Sequence, residues 1–188
     1  MIIIGSDKEN LLYEFLEEFL FLIETEKIND DRGFFTRLWD KEIFEKLSMI
    51  TNIQQCSISF NHKKGTLRGM HMQKHPYEEV KWITCVKGKI YDVILDLRPE
   101  SPSYKKWEKF ILSSDDLNVL YIPPGVAHGF QTLEDNTSVF YQINQKYVPE
   151  SSFGVMYDDS KFNIKWPLDI TEISLKDKSY KSYELNHD

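Results

Sequence analysis

The sequence predicts an all-β domain, a sandwich or a barrel, because short strand-like segments recur between turn signals from Ile53 onward. Each segment is roughly five to eight residues long, and no helical segments alternate with them. Aromatic residues make up 14% of the chain, which suits pleated surfaces and small-molecule pockets. The predicted strands are Gln55–Phe60, Lys81–Val86, Ile90–Leu97, Lys109–Leu112, Val119–Ile122, Gly129–Leu133 and Ser138–Ile143.

The N-terminal part of the chain precedes this pattern. Residues 1–30 form an extension whose apolar spacing fits a helix, although Phe19–Ile23 also reads as a buried strand. A turn signal follows at Asn29–Gly33. Asp40 then fits a helix N-cap, with Phe44 on the apolar face of the helix that it begins. We therefore expect one short helix before the strands start.

The C-terminal part, from Tyr147 onward, is rich in loop-forming residues, and residues 178–188 are polar enough to fray. The sequence contains no linker, low-complexity tract or short-period repeat, so residues 1–188 are predicted to form one domain. A chain of 188 residues buries a sizeable core without disulfides or metal. Cys56 and Cys85 both fall in apolar strand-like runs, which predicts reduced structural cysteines.

The charge and hydropathy of the chain exclude several partners. Its 23 basic and 30 acidic residues give a net charge of −7, which argues against a nucleic-acid binder. A few focused basic residues still suffice for one small anion. No apolar run is long enough to span a bilayer, and the N-terminus lacks the features of a signal peptide. We expect a soluble cytoplasmic protein without a membrane partner.

Two histidine-bearing segments stand out against this background. GTLRGMHMQ places His71 six residues after Gly65, and PPGVAH ends at His128. These spacings resemble the two motifs of the cupin fold, a double-stranded β-helix or jelly roll. Metal-binding cupins carry a second histidine where Gln73 stands, and a metal site needs several such ligands, so no metal is expected. A single histidine in a β protein is more often structural than catalytic.

The combined motifs resemble one family, the dTDP-4-dehydrorhamnose 3,5-epimerases. The resemblance covers roughly residues 28–177, and its segments are DDRGFF, GTLRGMHMQ, VKGKIYDVILDLR, SPSYKKW, YIPPGVAHGF, FYQINQKY and NIKWP. It implies a cupin-type jelly roll with a short N-terminal helix and a loop-rich C-terminal tail. It also implies a homodimeric isomerase of deoxysugar biosynthesis for cell-surface polysaccharides. Members epimerise carbons beside the ketone of a nucleotide-diphospho-4-keto-6-deoxyhexose, without metal or organic cofactor.

The same resemblance implies four catalytic residues. His71 would be the base, Asp177 its carboxylate partner, Lys81 the cation at the enolate oxygen and Tyr141 the acid on the opposite face. A histidine with a pKa near 6.5 serves as a base at neutral pH, and a carboxylate fixes its tautomer. Inversion needs a second group because one base does not reach both faces of a carbon, and a phenol donates there.

Six further residues are implied to bind substrate. Arg68 and Arg32 offer planar forks to the diphosphate. Tyr147 stacks on the nucleotide base, and such stacking discriminates little between bases. The remaining three are His128, Gln73 and Phe34, and Arg32 and Phe34 are implied to reach a neighbouring subunit's site.

Three readings of the sequence stay open. The first is the nucleotide-sugar epimerase, acting at C3, at C5 or at both carbons. The second is a metal-dependent cupin isomerase or dioxygenase with His71 and His128 as ligands. The third is a non-catalytic jelly roll that binds a sugar nucleotide. The nucleotide and the sugar are not specified by these motifs.

Overall fold

The computed structural model describes residues 2–4 and 21–183. Its elements follow one another in chain order as β1 Ile2–Ile4, β2 Phe21–Glu24, β3 Lys27–Asp30, β4 Gly33–Thr36, α1 Lys41–Lys46, β5 Gln55–Asn61, β6 Thr66–Gln73, β7 Lys81–Lys87, β8 Lys89–Asp96, β9 Trp107–Ser113, β10 Val119–Ile122, β11 Val126–Thr132, β12 Thr137–Ile143, a 3-10 turn Pro149–Ser151, β13 Ser152–Gly154, β14 Glu172–Ile173 and α2 Leu175–Lys178. No helix of the described residues is both long and apolar enough to cross a membrane.

Two antiparallel sheets form the body of the fold. The first has the strand order β1-β2-β10-β7-β12-β5, and the second has the order β13-β6-β11-β8-β9. β14 adds to the second sheet as a parallel partner of β6, and β3 with β4 forms a separate hairpin. This arrangement confirms the predicted all-β jelly roll with a short helix before the strands.

The space between the sheets is apolar at one end and polar at the other. Side chains at alternate positions face inward because a strand has a two-residue period. Ile83, Ile94, Leu120 and Phe130 belong to the apolar part. Lys81 and the other polar residues described below lie at inward positions of the same strands, toward the other end.

Two more apolar clusters cover the outer faces of the sheets. The segment from Val155 to Tyr183 packs on the second sheet around Met70. Helix α1 packs on the first sheet through Phe44, which is fully buried, and Asp40 caps the helix by accepting the Ile43 N–H at 3.2 Å. The predicted N-cap is therefore confirmed.

Most predicted strands are confirmed, with shifts of a few residues at their ends. The alternative of a strand around Phe19–Ile23 agrees with β2, while residues 5–20 lie outside the described part of the chain. The prediction of a single helix was incomplete, because Ser174 caps the short helix α2 by accepting the Asp177 N–H. Of the predicted fraying tail, residues 184–188 are likewise outside the described part.

The cysteines differ from their prediction in one respect. Cys85 is buried in β7, and burial raises the pKa of its thiol to about 11, as suits a structural residue. Cys56 is exposed instead, because β5 is the last strand of its sheet and has a neighbour on one side only.

Candidate active site

A pocket of about 260 Å³ opens at the polar end of the space between the two sheets. β5, β7 and β12 supply one wall, and β6 and β11 supply the other. Half of the ten predicted site residues line it, namely Arg68, His71, Lys81, His128 and Tyr141. The remaining lining residues are Ser57, Ile58, Ser59, Phe130 and Ile143.

A bulge in β6 places two of these residues on the same face. Arg68 and His71 are three positions apart, so a regular strand would point them to opposite faces. Their partners on β11 are Phe130 and His128, which are only two positions apart, so β6 carries one extra residue. Gly69 supplies it with φ at +128°, a conformation that glycine adopts without steric cost.

His71 is anchored by a buried carboxylate. Its Nε2 lies 2.7 Å from Oδ1 of Asp177, and Oδ2 of Asp177 accepts the N–H of Gly69 at 3.3 Å. Burial alone would raise the pKa of Asp177, but the bonds from His71 and Gly69 hold it below its usual value. Asp177 is therefore ionised, and Nδ1 of His71 is the nitrogen left to accept a proton. The alternative of a solvated Asp177 in a polar tail does not apply, since the residue is 3% exposed.

His128 has a carboxylate of its own. Its Nε2 lies 2.8 Å from Oδ2 of Asp92, and both residues are buried. Oδ1 of Asp92 has no hydrogen-bond partner among the described residues. Burial raises the pKa of Asp92, while the neighbouring charges of His128 and Lys81 oppose that rise.

Lys81 is also paired with a carboxylate. Its Nζ lies 2.9 Å from Oε1 of Glu79 and donates to the backbone carbonyl of His71 at 3.1 Å. Two of its three N–H groups are therefore engaged, and one remains for a ligand. The carbonyl contact also holds the Lys81 ammonium close to the strand position that carries His71.

Tyr141 faces these residues from the other sheet. It lies on β12, whereas His71 lies on β6, and both line the same pocket. Burial raises the pKa of the Tyr141 phenol, and the negative charge of Asp92 raises it further. The phenol thus keeps its proton at neutral pH. Its ring contacts the ring of His128 edge to face, with 6.1 Å between the centroids.

Arg68 is held at the rim of the pocket. Its Nε donates to Oδ1 of the buried Asn61 at 2.7 Å, and a terminal nitrogen donates to the carbonyl of Phe60 at 3.4 Å. These bonds use one side of the guanidinium fork, which leaves the other donors for an anion.

Gln73 is placed differently from the residues that line the pocket. Its buried amide donates to the carbonyls of Tyr77 and Lys146 and accepts the N–H of Val148 at 2.6 Å. The last two residues flank Tyr147, so Gln73 fixes the loop that presents Tyr147. The Tyr147 ring is 54% exposed, as a surface that stacks on a base must be.

Arg32 and Phe34 lie away from the pocket of their own chain. They belong to the β3–β4 hairpin, which pairs with no other strand of the described residues. The Arg32 side chain is 89% exposed and lies 2.6 Å from Asp30. Phe34 is 51% exposed.

The sequence reasoning missed the supporting residues Asp92, Glu79 and Asn61. Asp92 could have been identified from the sequence, since it is an acidic residue at an inward position in the middle of the apolar run Ile90–Leu97. Glu79 stands two residues before Lys81, which places the two side chains on one side of an extended chain. Asn61 carried no signal that separates it from an ordinary strand end.

The described residues do not assemble a set of metal ligands. Within residues 2–4 and 21–183, no group of three histidine, cysteine or acidic side chains is arranged to hold a metal ion. Nε2 of His71 and Nε2 of His128 are each bonded to a carboxylate instead. The ligand set that a metal-dependent cupin requires is therefore not present in this part of the chain.

Comparisons with known proteins agree with this geometry. Residues 17–184 match the family model described as dTDP-4-dehydrorhamnose 3,5-epimerase. The enzyme of that name from Escherichia coli K12 is 36% identical over 161 residues, which is 84% of this chain and 85% of the relative.

Two solved structures share the fold. The Bacillus anthracis dTDP-4-dehydrorhamnose 3,5-epimerase, with TDP and PPi bound, has a TM-score of 0.86 and 35% identity, covering 96% of this chain and 99% of the other. The Legionella pneumophila dTDP-6-deoxy-D-glucose-3,5-epimerase, in complex with dTDP-4-keto-L-rhamnose, has a TM-score of 0.85 and 31% identity, covering 98% and 94%. The chain belongs to the dTDP-4-dehydrorhamnose 3,5-epimerase family.

Proposed function

We propose that this protein is an isomerase that inverts C3, C5 or both carbons of a dTDP-linked 4-keto-6-deoxyhexose in deoxysugar biosynthesis. The observation that carries the proposal is the pairing of His71, on β6 of one sheet, with Asp177 of α2, opposite the protonated Tyr141 on the other sheet. A ketone acidifies the neighbouring C–H groups, and a base and an acid on opposite sides of a carbon invert it. Family membership and the ligands of the solved relatives support this substrate class.

His71 is the proposed base. Its Nδ1 takes the proton from the carbon beside the ketone, and Asp177 stabilises the imidazolium that forms. The electrons move to the ketone oxygen, which becomes an enolate. Lys81, with an N–H group left over, donates to that oxygen, and His128 lines the same pocket.

Tyr141 is the proposed acid. Because burial keeps its phenol protonated, a proton is ready on the side of the pocket opposite His71. Delivery of that proton to the enolate carbon gives the inverted centre. The carbon that is inverted depends on which one lies between the two side chains, so the same site serves a 3,5-epimerase or a mono-epimerase.

The nucleotide part of the substrate would extend from the pocket along its rim. Arg68 binds the diphosphate through its free donors. Tyr147 stacks on the base, and Gln73 contributes by holding the loop of Tyr147.

We also propose a homodimer in which the β3–β4 hairpin reaches the partner's pocket. The hairpin exposes three large apolar side chains, Ile28 at 63%, Phe34 at 51% and Phe35 at 62%, and such a cluster is unusual for a surface without a partner. In the partner's pocket, Arg32 would contact the diphosphate and Phe34 would contact the nucleotide. The protein would act in the cytoplasm as one domain, without metal, cofactor, nucleic acid or membrane.

One experiment tests the activity and the substrate. The protein is incubated in D₂O with the dTDP-, CDP- and GDP-linked 4-keto-6-deoxyhexoses, and deuterium at C3 and C5 is followed by NMR. Deuterium at both carbons with inversion is expected for a 3,5-epimerase, and deuterium at one carbon for a mono-epimerase. The His71→Asn protein is the control, and it should bind dTDP but give no exchange. Absence of exchange with every substrate would contradict the proposal.

A mixing experiment tests the shared site. Arg32→Ala leaves the pocket intact, and His71→Asn leaves the hairpin intact, so a mixed dimer would contain one complete site. Recovery of activity on mixing two impaired proteins is expected after subunit exchange. Sedimentation as a monomer at micromolar concentration, or no recovery in verified mixed dimers, would contradict it.

A further inference from the structure

Tyr180 contacts the proposed base from outside the set of residues that line the pocket. Its ring lies edge to face with the imidazole of His71, with 5.9 Å between the centroids and 67° between the planes. This is one of the favourable arrangements of an aromatic pair. Tyr180 follows the end of α2 by two residues and Asp177, the carboxylate bonded to His71, by three. One short C-terminal segment therefore supplies two contacts of the His71 ring.

Gly154 makes room for the Tyr180 ring. It is the residue directly opposite His71 where β13 pairs with β6. A Cβ at position 154 would clash with the ring atoms Cζ, Cε1 and Cε2 of Tyr180. The Tyr180 ring therefore occupies the space that a side chain opposite His71 would fill, and only glycine leaves that space open.

The hydroxyl of Tyr180 contributes less to this contact than the ring does. It is buried and has no hydrogen-bond partner among the described residues. The ammonium of Lys176 lies near it but donates to Oγ of Ser152 at 3.1 Å. Burial raises the pKa of the phenol, so the hydroxyl stays neutral at neutral pH. Tyr180 therefore offers His71 an aromatic surface, and not a charge or a hydrogen bond.

His71 needs more than one contact to hold its ring. The torsion that turns an imidazole is broad and has two nearly equivalent orientations. The 2.7 Å bond from Nε2 to Asp177 fixes one atom and leaves the ring able to turn about that atom. The His71 side chain is 39% exposed, so the surrounding protein does not enclose it. Contact with the Tyr180 ring opposes this rotation.

We infer that Tyr180 is a positioning residue, whose ring, seated on Gly154, fixes the plane of the His71 imidazole and shields its bond to Asp177 from water. A displacement of about 1 Å can cost a reacting group roughly 100-fold in rate, so the orientation of the base matters. This inference rests on the proposed function, in which Nδ1 of His71 takes the proton from the substrate.

NMR observes the bond between His71 and Asp177 without turnover. The Nε2–H proton of His71 should give a downfield signal in the wild-type protein, and His71→Asn assigns that signal by its loss. Tyr180→Phe keeps the ring and should keep the signal. In Tyr180→Leu the proton should exchange with water faster by roughly 10-fold or more, because the covering ring is gone. An Nε2–H that exchanges as fast in the wild-type protein as in Tyr180→Leu would overturn the inference.

Kinetics test the orientation of the base. We expect kcat of Tyr180→Leu to fall by roughly 10- to 100-fold with dTDP affinity little changed, while Tyr180→Phe keeps the wild-type kcat. Tyr183→Leu is the matched control, because Tyr183 is a buried tyrosine of the same segment whose ring packs edge to face on Phe162, with 5.3 Å between the centroids. It should lose stability and keep its kcat. An equal fall of kcat in Tyr180→Leu and Tyr183→Leu would overturn the inference, since it would show a general effect of the segment.

Gly154→Ala disturbs the same contact from the other side and covers the case in which Tyr180→Leu does not fold. The added methyl group displaces the Tyr180 ring, so kcat should fall to a similar extent. The two effects should not add in the double variant, because both substitutions remove one contact. Wild-type kcat in folded Gly154→Ala, or additive effects in the double variant, would overturn the inference. If the wild-type protein turned over no sugar, the proposed function would fail, while exchange of the Nε2–H would still decide whether Tyr180 shields His71.

Discussion

Asparagine at position 177 would test whether His71 needs its carboxylate. The two oxygens of Asp177 accept from different donors, Nε2 of His71 at 2.7 Å and the N–H of Gly69 at 3.3 Å. Asparagine offers one acceptor oxygen for these two donors. If the amide NH₂ faces His71, the ring must accept at Nε2 and carry its proton on Nδ1, where the base is needed. If the NH₂ faces Gly69 instead, a buried N–H loses its acceptor.

The expected fall in kcat follows from these two orientations of the amide. The first gives the wrong tautomer, and the second keeps the tautomer but removes the negative charge that stabilises the imidazolium. We expect kcat to fall by roughly 10²- to 10⁴-fold, which is about 3–5.5 kcal/mol of activation free energy. The free energy of unfolding should fall by about 1–3 kcal/mol, the cost of one buried donor left unsatisfied.

The assay is the rate of deuterium exchange and inversion, with thermal unfolding measured on the same samples. Asp159→Asn should lose stability to a similar extent and keep its kcat, since Asp159 binds backbone N–H groups outside the pocket. Wild-type kcat in Asp177→Asn, with the fold intact, would refute the assignment of Asp177 as the partner of the base.

Three further substitutions give separate outcomes. Tyr141→Phe should slow inversion by roughly 10²- to 10⁴-fold while deuterium exchange at the substrate carbon persists, because His71 can return a proton to the face it came from; inversion at the normal rate would show that another acid acts. Arg68→Ala should weaken dTDP binding by roughly 10- to 100-fold in calorimetry, the effect of losing charge-assisted hydrogen bonds, and equal affinity would place the diphosphate elsewhere. Gly69→Ala should abolish activity and unfold at lower temperature than Gly33→Ala, because both glycines have φ near +130° but only a Cβ at Gly69 would meet the backbone of Gly129; equal melting temperatures would contradict the role of the bulge.

The strands could largely be predicted because each carries its own pattern of apolar residues and turns. Among the strands that line the pocket, β6 was the exception, since TLRGMHMQ has no clean two-residue alternation. The bulge at Gly69 explains the missing alternation, because it inserts one extra residue into β6 and so lets both Arg68 and His71 point inward. The bulge therefore breaks the alternation from which the strand would be predicted, and it also brings Arg68 and His71 to the same face of the sheet.

The candidate site was predicted in part, and the division has a physical cause. Side chains with distinctive chemistry, such as His71 and Tyr141, could be picked out through a family resemblance. Their supports could not, because a partner such as Asn61 is defined by proximity in the fold and not by spacing in the chain. Gln73 shows the same limit, since its effect on Tyr147 passes through backbone groups of a loop that is more than seventy residues away in sequence.

The arrangement of carboxylates explains how an acidic chain can offer a site to an anionic substrate. Three of the four basic groups of the pocket have a carboxylate partner, with Asp177 on His71, Asp92 on His128 and Glu79 on Lys81, while Arg68 at the rim is held by neutral acceptors. Isolated cations would be costly to bury, and the paired carboxylates offset that cost. Because the basic groups line the pocket, the substrate would meet N–H groups first, although the net charge of the chain is −7. Local pairing thus determines the electrostatics of this site more than the overall charge does, since nearby groups in a partly buried site are screened far less than distant surface charges.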